Sequence, residues 1–474
     1  MTFNSYTFFI FFAVVLALHY SPFSWRLKKI NLLVASYLFY AAWHPPFAVL
    51  LVICTLADWF ASRGIASSEQ SGKRRLFLIL ALTIDLGMLG FFKYADFLLD
   101  NFTWLMNAMN IQYHPPRMNI LLPLGISFFT FQSLTYTLDI YRRKAAPWPS
   151  FLDYALFVAF FPKLIIGPIT RAHDFLAQCN NPSKFDAVKM SWGFFLLTLG
   201  LFEKLIMADS LLAPVADQLF NKPGIPDTIS AWTGSLAFTG QIFFDFAGYS
   251  TCAIGVALCL GFELPQNFKY PYAAVGFSDF WRRWHISLST WLRDYLYISL
   301  GGNRKGQVRT SLNIMLTMLL GGLWHGASWT YIAWGGLHGL YQVVERVLKN
   351  IMPDSPIWSK KPTQMFFAFL TFIVISMTWV FFRANSFDQA FNIIRALLAM
   401  NNAPPTIGIE NFYILLTFCI TVIILASHWI MREKSLQDII EKMPWWFTSL
   451  VIAGMLIAIV TCSGEDRAFI YFQF

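Results

Sequence analysis

Residues 1–20 read MTFNSYTFFIFFAVVLALHY. From Tyr6 the run is almost wholly apolar, and no Lys or Arg stands in front of it. A cleavable secretory signal has a basic leader and a small-residue cleavage site. This stretch has no basic leader and no clear cleavage site, so it is expected to remain as a membrane helix. Lipid offers the backbone no hydrogen bonds, and a crossing segment must satisfy its own N–H and C=O groups, as a helix does.

The rest of the chain repeats that pattern. Of 474 residues, 57% are hydrophobic and only 13% charged, and mean hydropathy is +0.52. A soluble domain carries roughly 25% charged residues. Half that charge cannot cover a soluble surface of this size, which excludes a soluble enzyme, a disordered chain and a fibrous repeat. Apolar segments lie near 6–20, 30–43, 46–61, 76–92, 118–136, 151–167, 190–207, 231–260, 308–325, 328–348, 364–382, 411–430 and 446–462. At about 20 residues per crossing they give roughly 11 to 13 spans, some re-entrant. The expected class is an all-α polytopic membrane protein. The polar connections are too short for a soluble catalytic domain, so any chemistry sits inside the membrane body or at its surface. No internal repeat stands out, which weakens an inverted-repeat transporter reading.

Lys and Arg number 35 against 26 Asp and Glu, a net charge of +9. In a membrane protein such an excess marks cytoplasmic loops rather than a nucleic-acid partner. Arg26, Lys28 and Lys29 follow the first segment, and Arg63, Lys73, Arg74 and Arg75 form the next basic loop. Arg142, Arg143 and Lys144 form another, and Arg304, Lys305 and Arg309 another, whereas His44-Pro45-Pro46 carries no basic residue. The N-terminus is therefore expected outside and the basic loops in the cytoplasm. The six cysteines form no C-x-x-C pair, so neither a disulfide framework nor a metal site is expected.

Ionisable residues inside apolar segments are functional candidates. They include Asp85, Asp139, Glu203, Asp245, His285, His325 and His338. The richest stretch is SDFWRRWHISLSTWLRDYLYISLGGNRKG, residues 278–306. At about 100° per residue, Trp281, Trp284, His285, Leu288, Trp291, Leu292, Tyr295 and Leu296 share one arc of about 140°, with Arg282, Arg283, Arg293 and Asp294 outside it. This predicts one amphipathic interfacial helix with His285 facing inward. In LGGLWHGASWTYIAWGGLHGLY, residues 320–341, His325 stands among glycines that let a backbone or ligand approach closely. A neutral imidazole there can act as a general base. His338, thirteen residues on, need not share its site. From the residues alone the reading stops at a membrane-embedded site with one or two histidines.

The ordered motifs LPLGISFFTFQSLTYTLDIYR (122–142), FPKLIIGPITR (161–171), QIFFDFAGYSTCAIG (241–255), GFELPQNFKYPY (261–272), FWRRWHISLSTWLRDYLYISLGGNR (280–304), GGLWHGASWTYIAWGGLHG (321–339), WVFFRA (379–384) and FIYFQF (469–474) span nearly the whole chain. They resemble the membrane-bound O-acyltransferase (MBOAT) superfamily, in particular its bacterial alginate O-acetyltransferase branch and related polysaccharide O-acetylases. The resemblance implies one membrane domain over 1–474, a ring of helices around a central tunnel, and a catalytic core about 118–345. The invariant family histidine falls on His325 and the second on His285, which would orient the donor or stabilise an oxyanion. It implies substrate-binding roles for Arg282, Arg283, Trp324, Asp245, Asn303 and Arg304, with Lys305 beside them, and no metal.

The implied donor is cytoplasmic acetyl-CoA, with no permanently bound cofactor. The implied partners are an extracytoplasmic acetyltransferase protein and a polysaccharide acceptor, and the implied setting is the bacterial inner membrane. The branch often reads FSGYSD where this chain has Phe246 to Thr251. That loss of an acid leaves Asp245 as the nearby carboxylate and opens the polymer to alginate, cellulose, peptidoglycan or another glycan. The competing class is a transporter or flippase of a glycan precursor.

Overall fold

The computed structural model describes residues 1–118, 120–182, 184–352, 360–400, 404–462, 467 and 469–470. Of the terminal FIYFQF motif, residues 471–474 lie outside the described residues. Among the described residues the regular structure is helical, with one isolated backbone bridge between Pro226 and Ile407. Five helices among the described residues are long and apolar enough to cross a membrane: Phe47–Ser67, Ser71–Ala108, Thr228–Cys259, Lys361–Arg383 and Asn411–Met431. The protein is a multi-pass, all-helical membrane protein.

The Asn411–Met431 helix shows why lipid is its solvent. Phe412, Leu415, Phe418 and Ile423 are 62–68% exposed, while the face turned inward carries Thr417, Thr421 and His428. Water would reverse that arrangement.

The chain forms two compact units. The first comprises Met1–Leu197 and Tyr249–Pro265, the second Thr198–Gly248 and Gln266–Phe474. In the first, the opening segment is the helix Tyr6–Tyr20, with Ser5 Oγ capping it by accepting from Phe8 N. Trp25–Ala41 begins the same way, with Ser24 Oγ accepting from Leu27 N. Two expected spans differ. The segment expected to begin at 118 becomes helical only at Ile126, as Ile126–Tyr141, after Gly125 in left-handed conformation (φ 73°). Pro115, Pro116 and Pro123 explain the delay, since proline disfavours helix in the residue before it. The segment 151–167 is two short helices, Phe151–Ala159 and Phe161–Leu164, separated by Phe160 at ψ 108°. Pro162, in the first turn of the second, has no N–H to continue the first.

In the second unit the helices Gly306–His325 and Trp329–Ile351 form a tight hairpin. They cross at Gly322 and Gly335, whose α-carbons meet so closely that a methyl group on Gly335 would lie 2.3 Å from the Met318 carbonyl oxygen. The turn is set by Gly326 in extended conformation and by Ser328, whose Oγ accepts from Thr330 N. The crossing holds the ends of both helices, and hence His325 and Trp334, in register.

Overpacking a close crossing costs about 1–3 kcal/mol. Gly335→Ala is therefore expected to lower the thermal unfolding temperature of the protein in nanodiscs. Gly454→Ala, where nothing lies within 4 Å of the added methyl, is expected to leave it unchanged or slightly raised.

Candidate active site

All the residues of the site belong to the second unit. The stretch expected as one amphipathic helix is three pieces: the helix Phe277–Arg283, the helix Ile286–Trp291 and the π-helical turn Leu292–Tyr297. The break falls on His285, which has φ 43° and ψ 54°. A non-glycine residue in that conformation is strained and is held by its surroundings. Here the adjacent strip 267–269 takes over the backbone groups released by the break. Lys269 N donates to Arg283 O at 2.9 Å and Ile286 N to Asn267 O at 2.8 Å. The inward arc survives: Trp281, Trp284, His285, Leu288, Trp291, Leu292 and Tyr295 are all buried. Arg283, expected on the polar side, is buried as well, because the helical period is interrupted two residues after it.

His285 is fully buried, and burial alone pushes its imidazole pKa down to about 3, so the ring is neutral. Its Nδ1 lies 3.1 Å from Asn267 Oδ1. The same oxygen accepts from Ser287 Oγ at 2.9 Å and from Ser287 N at 3.3 Å. A backbone N–H can only donate, which identifies that Asn267 atom as the oxygen and makes His285 Nδ1 the protonated nitrogen. Nε2 is then the basic nitrogen. In this tautomer Nε2 presents a hydrogen-bond acceptor.

His325 closes the Gly306–His325 helix and is 3% exposed. Its ring centre is 5.0 Å from Trp324, 5.0 Å from Trp334 and 5.5 Å from Phe382. Trp324 also stands 6.2 Å from His285, so one indole bridges the two histidines. His338, which the sequence left apart, joins the same wall. Its ring is 4.7 Å from Trp334, and its Nδ1 accepts from Trp281 Nε1 at 3.3 Å. Trp379 backs Trp334 at 5.5 Å. His285, His325 and His338 are thus packed against indoles in one buried aromatic cluster.

The predicted binding residues separate. Arg282 is exposed and lines a cavity of about 340 Å³ with Trp281, Ile286, Leu292, Arg293 and Gln342. Trp281 is thus both a wall of this cavity and the partner of His338. Arg283 is bound elsewhere: it donates to Asp279 Oδ2, Glu433 Oε1 and the Arg432 carbonyl oxygen, each at 3.0 Å. Burial opposes the charged form of Asp279, but Val275 N–H, Arg283 and Arg432 outweigh it and hold its carboxyl below the usual range. Asn303 and Arg304 stand on the exposed turn before Gly306. A helix of 20 residues is about 30 Å long, so they lie at the opposite end from His325.

Asp245 is buried in an ion pair with Lys204, which also holds Asp209 at 2.9 Å, and it accepts from Ile470 N at 2.8 Å. Sequence reasoning missed Lys204 and the orienting Asn267, although Asn267 sits in the quoted LPQNFKYPY motif. Among the described residues no three His, Cys, Asp or Glu side chains converge as a metal site.

The model of the MBOAT, membrane-bound O-acyltransferase family, matches residues 93–387. The chain is 42% identical to the "Probable alginate O-acetylase AlgI" of Pseudomonas putida, covering 85% of this chain and 81% of that protein. It is 37% identical to the peptidoglycan O-acetyltransferase of Helicobacter pylori, over 79% and 74% of the two chains. Similarity at 30% identity extends to the teichoic acid D-alanyltransferase of Streptococcus thermophilus, over 55% of this chain and 68% of that protein. A matched core that carries both histidine motifs decides for an enzyme over a transporter, and the chain belongs to the membrane-bound O-acyltransferase family.

Proposed function

We propose that this protein moves an acetyl group from cytoplasmic acetyl-CoA across the bacterial inner membrane for O-acetylation of a secreted polysaccharide. The observation that carries the reading is the pair of buried histidines, His285 and His325, on either side of Trp324. Relatives named for alginate and for peptidoglycan O-acetylation support acetyl as the group and a glycan as its destination. An extracytoplasmic acetyltransferase partner would complete delivery to the polymer.

In the proposed step, His325 accepts the proton of an acceptor hydroxyl as its oxygen attacks the thioester carbonyl. The new C–O bond forms, the C–S bond breaks, and the departing thiolate takes the proton from the His325 imidazolium to leave as the CoA thiol. His285 holds the reacting groups from the other side of Trp324, its ring fixed by Asn267. The cavity beside Trp281 supports a donor arm: an apolar floor for the pantetheine chain, with the exposed Arg282 at hand for the diphosphate. Arg283 is left out of donor binding by its ion pairs, and Asn303 and Arg304 by their distance.

These roles give separable outcomes in nanodiscs with radiolabelled acetyl-CoA. His325→Ala is expected to lower acetyl transfer by about 10²–10⁴-fold, with insertion and thermal stability intact. Turnover retained in that variant would sink the mechanism. Leaving the buried Nδ1–H of the His285 ring without its acceptor costs about 1–3 kcal/mol. Asn267→Leu is therefore expected to lower kcat by about tenfold or more, and Asn267→Asp to keep most of it. Arg282→Ala is expected to raise KM for acetyl-CoA with little change in kcat. Arg283→Ala should instead reduce the yield of folded protein, because it strips Asp279 of a partner.

A further inference from the structure

The first unit holds a second buried polar centre that the acyl-transfer reading does not use. Asp58 on Phe47–Ser67 and Asp85 on Ser71–Leu89 are both 0% exposed. They are neighbours, each the main charged group acting on the other, and among the described residues no Lys, Arg or His is paired with either. Asp58 Oδ1 accepts a hydrogen bond from Thr137 Oγ1 of the Ile126–Tyr141 helix. Neither oxygen of Asp85 receives a hydrogen bond.

The surroundings point inward without a counter-charge. Tyr154 and Ser133 are both 0% exposed, their hydroxyls lie beside each other, and both act on this pair. The remaining titratable groups around it are Cys54, one turn before Asp58, and Tyr136, with Tyr40 beyond Cys54. None is a cation. Arg63, which acts on Tyr136, lies over the Trp59 ring at 4.0 Å and donates to the carbonyls of Trp148 and Pro149.

Two adjacent carboxylates with no cation cannot both stay ionised away from water, and such pairs keep a proton between them. Among the described residues no third metal-ligating side chain joins them, so a divalent ion is not the fitting occupant. We propose that Asp58 and Asp85 form a proton-binding site in which Asp85 carries the proton and donates it in a hydrogen bond to the Asp58 carboxylate. Thr137 supplies Asp58 with its second donor, and the hydroxyls of Ser133 and Tyr154 form the polar rim. The pair then holds one negative charge instead of two.

Infrared difference spectroscopy of the full chain in nanodiscs at neutral pH tests this. The two variants, Asp85→Asn and Asp58→Asn, keep side-chain shape and remove charge, and each is checked for folding by thermal unfolding. The expected wild-type spectrum has a deuterium-sensitive C=O stretch of a protonated carboxylic acid. Asp85→Asn removes that band and spares the carboxylate band, whereas Asp58→Asn removes carboxylate intensity. An acid band unchanged in Asp85→Asn, or a wild-type pair giving two carboxylate bands, overturns the proposal. Should one variant fail to fold, the other still decides, because each removes a different band.

Discussion

A polar group that leaves water for the interior of a membrane protein gets nothing back from lipid. It must find a partner, give up its charge, or stay at the edge. That constraint orders the second unit. Arg283 is buried only because Asp279, Glu433 and a backbone carbonyl receive it, and Lys204 only because Asp245 and Asp209 flank it. The histidines take the other course. With aromatic rings around them and no carboxylate beside them, His285 and His338 are neutral, and a neutral imidazole is the form that can take a proton from an alcohol.

The constraint also explains the local irregularities. A regular helix through 277–297 would leave His285 in the apolar arc with no fixed partner for Nδ1. The left-handed turn at His285 brings the ring to Asn267, and the strip 267–269 repairs the interrupted backbone bonds. The strain of that residue is thus exchanged for one defined tautomer. Likewise the glycine crossing at Gly322 and Gly335 lets the two helices approach closely enough for Trp334, which also packs on His338 one turn along its own helix, to touch His325 on the other.

Much of this was legible in the sequence. Membrane helices follow from composition and segment length without any appeal to periodicity, and Tyr6–Tyr20 and Asn411–Met431 fall where the apolar runs lie. The histidines were visible because glycine and tryptophan surround them. What was not legible depends on contacts between distant segments. A helical wheel assumes continuity, so it could not show the break at His285 or the burial of Arg283. Asn267 is eighteen residues from His285, and nothing in its own motif marks it as a ring's partner. Asp58 stands in an apolar run like Asp85, and only the packing of the Phe47–Ser67 and Ser71–Leu89 helices makes the two a pair.

We place acetyl transfer at the cluster of His285, Trp324, His325 and Trp334. The most direct measurement is a cryo-EM structure of the protein in nanodiscs with a thioether analogue of acetyl-CoA that cannot transfer its acetyl group. The account predicts the carbonyl of the analogue beside His325 between the two tryptophans, with its diphosphate next to Arg282. Density for the analogue that ends away from this cluster, or that reaches it without approaching either histidine, would contradict it.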